Sequence, residues 1–221
     1  MAIPAYLPRQ RVSSIVITTP DTSTAHGFLR APNGTITEFD VPFTVFTDAR
    51  AINPDGVVAG RFFTTAISVV SRGFVRAPNG TFTTFDPPGS VFTLPNAINP
   101  AGTVTGEFVD VRGVGHGFLR TSDGTITVFD PPGSGGTSGN AINPAGAVVG
   151  FSGTTPTFFP VHGFLRAPNG TFTVFDGAPG SPFTNAQAIS PGGDYRRILC
   201  HPRLLSVARL PAGPERHHHR V

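Results

Sequence analysis

The sequence predicts an all-β fold made of a repeated unit of about 45 residues. Three observations lead to this prediction. The motif His-Gly-Phe-Leu-Arg at residues 116–120 has close copies that begin at His26, Arg72 and His162, at spacings of 46, 44 and 46 residues. An Asp follows the first residue of every copy by 14 positions. Between turn signals, apolar residues alternate with polar ones, as they do in half-buried strands.

Glycine and proline punctuate the chain, with 27 Gly and 23 Pro among 221 residues. This composition indicates frequent turns, and it lacks the polarity of a disordered chain. The chain contains no Trp, which excludes repeats of the Trp-Asp type. We therefore expect short strands joined by tight turns.

The formal net charge of +3 arises in the C-terminal segment and not in the repeats. All 16 basic side chains are Arg, and six of them lie in residues 192–221 beside Asp194 and Glu215. The remaining ten Arg stand against eleven acidic residues, which leaves the repeats at about −1. Because nucleic-acid binding needs a basic surface for the phosphates, we exclude nucleic acid as a partner.

Cysteine content and hydropathy constrain the function less than the charge distribution does. Cys200 is the only cysteine, so no disulfide can form within the chain. Residues 1–25 contain no apolar run of signal-peptide length, and no later stretch is long and apolar enough to span a bilayer. We expect no export signal and no membrane span in the chain as written.

The chain divides into a lead at residues 1–13, a repeat domain at 14–193 and a tail at 194–221. Ser14 to Thr18 is rich in β-branched residues and is followed by Pro20, which predicts the first strand of the repeat domain. Each repeat is then predicted to contain four strands. In the second repeat these are residues 57–63, 73–76 and 81–85, with a fourth strand that leads into Ala97-Ile98-Asn99-Pro100.

Two turn motifs recur in the repeats. Asn-Pro-x-Gly at Asn53, Asn99 and Asn143 is a turn signature, and Ser190-Pro191 is its degenerate copy. An Asp also ends the third strand of each repeat, and in two repeats Pro-Pro-Gly follows it. An Asp there can accept backbone N–H groups, and Pro cannot continue the ladder. We interpret these acids as turn-closing residues rather than catalytic ones: Asp40, Asp86, Asp130 and Asp176.

Pro78-Asn79-Gly80 connects the second and third strands of its repeat. A three-residue hairpin loop with a bulge fits this motif, because Pro suits the first turn position and Gly the left-handed one. In that register Phe85 lies across from Gly73 and covers it. The alternative two-residue register pairs Phe74 with Phe85, and both registers bury the aromatic rings. The first register also predicts three equivalent pairs: Gly27 with Phe39, Gly117 with Phe129, and Gly163 with Phe175.

A four-stranded antiparallel sheet of about 45 residues, apolar on both faces, is typical of a β-propeller blade. We therefore predict a β-propeller with four in-frame blades. Its motifs His-Gly-Phe-Leu-Arg, Phe-Asp-Pro-Pro-Gly, Ala-Ile-Asn-Pro and Gly-x-Val-Val-Gly resemble the repeats of the HAF family of bacterial extracellular repeat proteins, over about residues 14–193. The resemblance implies a β-propeller and an extracellular location, and it brings no established catalytic residues. The chain departs from the family pattern at Arg72, Asp123 and Ser190, and in lacking an export signal.

The tail at residues 194–221 is predicted to be an out-of-frame translation of a fifth blade. The next His-Gly-Phe-Leu-Arg is due near residue 208, where the chain has Ala-Arg-Leu-Pro-Ala. Joining the last two bases of each codon to the first base of the next yields the expected motif there with permitted codons, and it yields Ile-Val-Gly at 195–197. We expect the tail to be disordered or poorly packed. Cys200 and the three consecutive His then form no redox or metal site.

His26, His116 and His162 are the candidate binding residues. They occupy equivalent places and could line a ring around the propeller axis, where such folds bind ligands. The alternative is a structural hydrogen bond at a strand start, since a catalytic site needs unlike residues in unlike roles. Four further repeated residues are interpreted as surface or interblade residues: Arg30, Arg76, Arg120 and Arg166.

The sequence contains no nucleophile–base pair, no zinc-ligand spacing and no phosphate-binding loop, so we expect no catalytic residue, metal or cofactor. The prediction is a non-enzymatic binding or scaffolding module for a protein or glycan ligand. A carbohydrate-binding propeller is the alternative, and a propeller hydrolase or lyase is a third reading. A cleft that holds a carboxylate with a raised pKa, away from the turns, would favour the enzyme.

Overall fold

The computed structural model describes residues 11–18, 23–65, 70–155, 160–177, 181–201 and 204–209, with side chains for 24–65, 70–155, 160–177 and 181–194. Every helix or strand assigned within these ranges is a β-strand. Residues 1–10 of the predicted lead and residues 202–203 and 210–221 of the predicted tail lie outside the described part of the chain.

The strands form five consecutive blades. Blade 1 contains β1 (Arg11–Thr18), β2 (Ser23–Arg30) and β3 (Ile36–Phe39). Blade 2 contains β4 (Phe46–Ile52), β5 (Val58–Phe63), β6 (Arg72–Arg76) and β7 (Phe82–Phe85). Blade 3 contains β8 (Ser90–Ile98), β9 (Val104–Asp110), β10 (Gly115–Arg120) and β11 (Ile126–Phe129). Blade 4 contains β12 (Gly136–Ile142), β13 (Val148–Gly153), β14 (Val161–Arg166) and β15 (Phe172–Phe175). Blade 5 contains β16 (Thr184–Ile189), β17 (Tyr195–His201) and β18 (Leu204–Arg209).

Each blade is an antiparallel sheet whose strands follow one another in chain order. A single parallel bridge, Ala25 to Phe46, connects blades 1 and 2. Isolated parallel bridges recur at equivalent places, from Ser71 to Phe92 and from Val161 to Phe183. The bridge therefore belongs to the contact between blades, and it does not merge two blades into one sheet.

The predicted all-β propeller is confirmed, but the blades begin one strand earlier than predicted. The strand that ends in Ala-Ile-Asn-Pro was assigned to the end of a blade, whereas Ile98 at its end pairs with Val104 of the following strand. The turn between them is closed by bonds from Asn99 N to Thr103 O and from Gly102 N to Asn99 O, both 3.0 Å. A turn this tight forces its two strands to pair with each other. The four predicted blades thus become three complete four-stranded blades, flanked by three-stranded ones.

The predicted hairpin register is confirmed in all four repeats. Gly73 pairs with Phe85, and the equivalent pairs in the other blades match as well. Ala77 N donates to Thr81 O at 2.8 Å, and Gly80 has a φ of 93°. This is the predicted three-residue loop with Gly in the left-handed position, and the alternative pairing of Phe74 with Phe85 does not occur.

The core consists of aromatic layers between neighbouring blades. The Phe at the end of one blade meets a Phe on the third strand of the next, with ring centres 6.5 Å apart for Phe39 and Phe74 and 5.8 Å apart for Phe85 and Phe118. Both contacts are edge-on, which is a favourable geometry for aromatic pairs. Three such layers join blades 1 to 4.

In blades 2 to 5 the first strand lies innermost. β4, β8, β12 and β16 contact one another in succession, while the later strands of each blade lie progressively further from them. β17 and β18 make their principal contacts with β16 and with each other. The tail was expected to be disordered or poorly packed; its described part is paired as strands but packs little against the other blades.

Candidate ligand-binding site

The candidate histidines lie apart from one another and away from the innermost strands. His26, His116 and His162 stand on the next-to-last strands of their blades, and each binds the Asp that follows the last strand of the same blade. The Nδ1-to-carboxylate distances are 2.7, 2.8 and 2.6 Å. Arg72 replaces His in blade 2, where its Nε donates to Asp86 Oδ2 at 2.6 Å. The structure does not bring the three histidines together, and their geometry matches the structural alternative.

The acids that end the blades were expected to accept backbone N–H groups, and here the structure differs. Each Asp binds the His or Arg of its own blade. Where the residue after the Asp has a backbone N–H, a buried Thr on the innermost strand of the next blade accepts it. Val41 N donates to Thr47 Oγ1 at 3.2 Å. In blade 2 the residue after the acid is Pro87, which has no N–H, and Thr93 Oγ1 instead donates to Asp86 Oδ1 at 3.0 Å. These contacts connect blades and have no catalytic geometry.

The Asn of the Asn-Pro turns also connects blades. Asn99 Oδ1 accepts from Thr103 N at 2.9 Å, which closes its own turn, while its Nδ2 donates to Asn143 O of the next blade at 3.3 Å. Asn53 makes the same pair of contacts. Residues that are constant across the repeats therefore build the scaffold.

A β-bulge interrupts every innermost strand directly before the Ala-Ile-Asn-Pro motif or its degenerate copy. One residue there has no partner on the second strand, because the register shifts across it. A bulge leaves an extra residue and re-aims its side chain. The four bulge residues are all polar but are of three kinds, whereas the Ala-Ile that follows them is the same in every blade: Arg50, Asn96, Asn140 and Gln187.

Hydrogen bonds join the bulge residues into a row along the innermost strands. Arg50 Nη2 donates to Asn96 Oδ1 at 3.3 Å, and Asn96 Nδ2 donates to Gly139 O at 3.0 Å. Asn140 Nδ2 donates to Ala186 O at 2.9 Å. Gln187 ends the row and is exposed. Hydrogen bonds thus hold three of the side chains, and both Arg50 and Gln187 are open to solvent.

A cavity of about 380 Å³ lies against this row. Besides the four bulge residues, its lining consists of two further polar side chains and two apolar ones: Glu107, Ser138, Leu94 and Phe151. Pockets for small molecules span about 300–1,000 Å³, so this cavity is at the small end of that range.

Glu107 is the acidic group of the cavity. It is partly buried on β9, and desolvation raises its pKa above the ordinary value of 4.5. A hydrogen bond with Ser138 and the charges of Arg61 and Arg50 act in the opposite direction, and they do not offset the burial. The carboxyl group is therefore poised to accept or to hold a proton more readily than a solvated Glu.

An ion pair lies beside the cavity in blade 2. Arg61 Nε is 3.2 Å from Asp48 Oδ2, and Arg50 Nη1 is 3.8 Å from the same oxygen. Asp48 is buried, so its charge is held by these two guanidinium groups. The equivalents of Arg61 in the next two blades are Glu107 and Phe151, which again differ in chemistry.

This site was not predicted from the sequence. Six of its eight residues lie on the innermost strands, which the sequence patterns placed at the wrong end of each blade, and none belongs to a known motif. A signal was nevertheless present. The recurring Ala-Ile-Asn/Ser-Pro motif is preceded in each blade by a polar residue that is not the same throughout: Arg50, Asn96, Asn140 and Gln187. In a repeat protein, a place that varies is free of the scaffold's constraints and available for function.

The described residues contain no group of three or more His, Cys, Asp or Glu side chains placed to hold a metal ion. No helix in that part of the chain is long and apolar enough to cross a membrane.

No protein-family model matches the chain, and no curated protein matches it. Among solved structures, the chain is similar to a streptogramin B lyase, with 14% identity, a TM-score of 0.49, and coverage of 92% of this chain and 74% of that one. It is also similar to a catalytically inactive virginiamycin B lyase from Staphylococcus aureus with quinupristin, with 15% identity, a TM-score of 0.46, and coverage of 92% and 75%. At these identities the likeness is one of fold.

Proposed function

We propose that this β-propeller is a non-enzymatic binding module whose ligand, a small polar molecule, occupies the cavity beside the innermost strands. One observation carries the proposal: the bulge residues of four successive blades line one cavity and, together with Glu107, present a guanidinium group, three carboxamides and a carboxyl group there. Unlike groups converging on one cavity are what selective recognition of an asymmetric ligand requires.

The geometry of the row supports a preorganised site. Arg50, Asn96 and Asn140 are held by hydrogen bonds to neighbouring blades, so they lose little side-chain entropy when a ligand binds. Gln187 is exposed and can turn towards the ligand. Binding therefore does not require a rearrangement of the sheets.

A thermal-shift screen of small polar compounds, followed by calorimetric titration of the hits, tests the proposal. We expect a hit whose affinity falls about 3- to 10-fold in Gln187→Ala, the loss of one neutral hydrogen bond. Thr173→Ala on the outer strand β15 is the control, since this exposed side chain lies far from the innermost strands. Hits whose affinity is unchanged in both Gln187→Ala and Arg50→Ala would contradict the proposed site.

A second candidate function is favoured by Glu107 alone. A carboxyl group with a raised pKa inside a cavity is the feature expected of a general acid or base in a propeller hydrolase or lyase. In that case a compound that binds is slowly converted, and Glu107→Gln abolishes conversion while it keeps binding. Product analysis by mass spectrometry after long incubation distinguishes the two functions.

The similarity of the repeats to the HAF family supports a further part of the proposal, an extracellular location. Expression of the complete gene in its host, followed by detection of the protein in the medium and in cell fractions, tests it. Protein found in the cytosolic fraction alone would contradict this part and leave the binding site untouched.

A further inference from the structure

We infer that the ligand of the cavity is a neutral, polyhydroxylated molecule of about one or two sugar units. This inference rests on the proposed function and adds the class of ligand. Three properties of the cavity point to this class: its charge balance, its types of hydrogen-bonding group and the apolar part of its lining.

The charges around the cavity cancel. Arg50 is the cationic group of the lining and Glu107 the acidic one. The neighbouring Arg61 and Asp48 pair with each other at 3.2 Å. A ligand with a net charge would lose its hydration on binding. It would find no unpaired charge of opposite sign in the cavity to replace that hydration, which is costly in a partly buried site. A neutral ligand avoids this cost.

The polar groups suit hydroxyls. Asn96, Asn140 and Gln187 carry carboxamides, each of which offers both donors and an acceptor. A hydroxyl group likewise donates and accepts, so it can satisfy carboxamides, a carboxyl group and a guanidinium group alike. Neighbouring hydroxyls on a sugar ring present this mixture at the spacing of adjacent polar side chains.

The lining also has an apolar part, formed by Leu94 and Phe151. A sugar ring is amphipathic, since its C–H groups form apolar patches between the hydroxyls. An aromatic or aliphatic side chain beside polar partners therefore matches it. Phe151, on the second strand of blade 4, supplies this aromatic surface. The chain has no Trp, and no Tyr is among the side chains that the structure describes.

Titration with four classes of compound tests the inference. The probes are neutral mono- and disaccharides, the corresponding uronic acids, the corresponding amino sugars, and free amino acids as zwitterions. We expect binding by at least one neutral sugar, and an affinity at least about tenfold lower for its charged derivatives, which corresponds to about 1.4 kcal/mol. A uronic acid, amino sugar or amino acid that binds better than every neutral sugar would overturn the inference while the proposed binding function stands.

Two variants make the test specific to the cavity. Glu107→Gln removes the acid but keeps a polar group of the same size, so the affinity of a neutral sugar should fall only by about 3- to 10-fold, the value of one hydrogen bond. A cationic or zwitterionic ligand would lose its partner and bind much more weakly, which would contradict the inference. Glu38→Gln, the same change on the exposed outer strand β3, is the matched control. If no compound of any class binds, the proposed function itself fails.

Discussion

The ring of Phe85 lies over Gly73, with its Cζ atom 2.7 Å from the place that a Cβ at residue 73 would occupy. The two residues face each other across the third and fourth strands of blade 2. The same ring continues into the interblade layer, where it meets Phe118. One side chain therefore fixes the register of a hairpin and also joins two blades.

Gly73→Ala should destabilise the protein by about 1–3 kcal/mol, because the added methyl group displaces a ring that is already packed on both sides. Chemical denaturation measures this change. Gly192→Ala is the control, since the nearest atom to a Cβ there is Ser190 Oγ at 3.8 Å. Equal effects of the two substitutions would show that the contact with Phe85 is not what requires glycine.

Arg120→Ala should cost about 2 kcal/mol, because this buried guanidinium lies between two blades. Its Cζ is 5.0 Å from the centre of the Phe85 ring, and burial lowers its pKa. A desolvated cation over an aromatic face is worth up to about 2 kcal/mol. Arg30 is the equivalent residue in blade 1 and is exposed, so Arg30→Ala should change stability by less than about 0.5 kcal/mol. Matching losses in both variants would contradict the interblade role.

Glu107→Gln should stabilise the protein at neutral pH and not at low pH. Because burial raises the pKa of Glu107, the folded state favours the protonated form. The stability that protonated Glu107 contributes is fully present below the ordinary pKa of 4.5, and it is lost as the pH rises through the folded-state pKa. The melting temperature of the variant should therefore exceed that of the parent by a few degrees at about pH 7 and match it at about pH 4. A difference independent of pH would contradict this account.

Phe43→Gly should stabilise the protein by about 0.5–1 kcal/mol. Phe43 has a φ of 63° and a fully exposed side chain, in the turn where Gly89 and Gly133 have φ values of 77° and 78° in the next blades. The left-handed conformation costs a non-glycine residue about 1–2 kcal/mol, and the greater freedom of Gly in the unfolded chain offsets about half of it. Val111→Gly, at another exposed apolar residue, should be neutral or destabilising. Unfolding free energies of both variants check the prediction.

The bulge of blade 5 gives a structural reason to expect the predicted frame shift. Arg197 pairs with Ala186 there, and the residues in its place in the three preceding blades are Gly60, Gly106 and Gly150. A Cβ on those glycines would overlap a main-chain carbonyl oxygen of the innermost strand. The shifted reading supplies Gly at residue 197, so we propose that restoring the frame gives the bulge of blade 5 the same glycine as the other blades.

The frame-restored chain should have a higher melting temperature and a lower isoelectric point than the present one. Sequencing the source DNA around the codons for Gly193 and Asp194 checks the cause. An intact frame relative to close relatives, or an unchanged melting temperature after correction, would count against it.

The sequence predicted the hairpins well because their information is local. Pro78-Asn79-Gly80 determines the loop, and the loop determines that Phe85 faces Gly73. The predicted phase of the blades was wrong because Asn99-Pro100-Ala101-Gly102 is also a hairpin turn and pairs the strands on either side of it. A tight turn of either kind therefore places its two strands in the same blade.

The candidate site was not predicted because it lies where the repeats vary. His116 has counterparts in two other blades and is a structural partner of Asp130, whereas the bulge residue changes from Arg50 to Asn140 to Gln187 along the blades and lines the cavity. Burial of Glu107 is likewise a tertiary property, since it depends on the neighbouring blade that carries Ser138. Only the three-dimensional arrangement could show that these residues meet.

Backbone amide NMR of the protein, titrated with a neutral sugar that binds, tests the central claim most directly. The account predicts that the largest chemical-shift changes fall on Arg50, Asn96, Glu107, Asn140 and Gln187, and that they saturate together with a single dissociation constant. Changes centred instead on the His–Asp pairs at His26, His116 and His162, with the innermost strands unaffected, would contradict it.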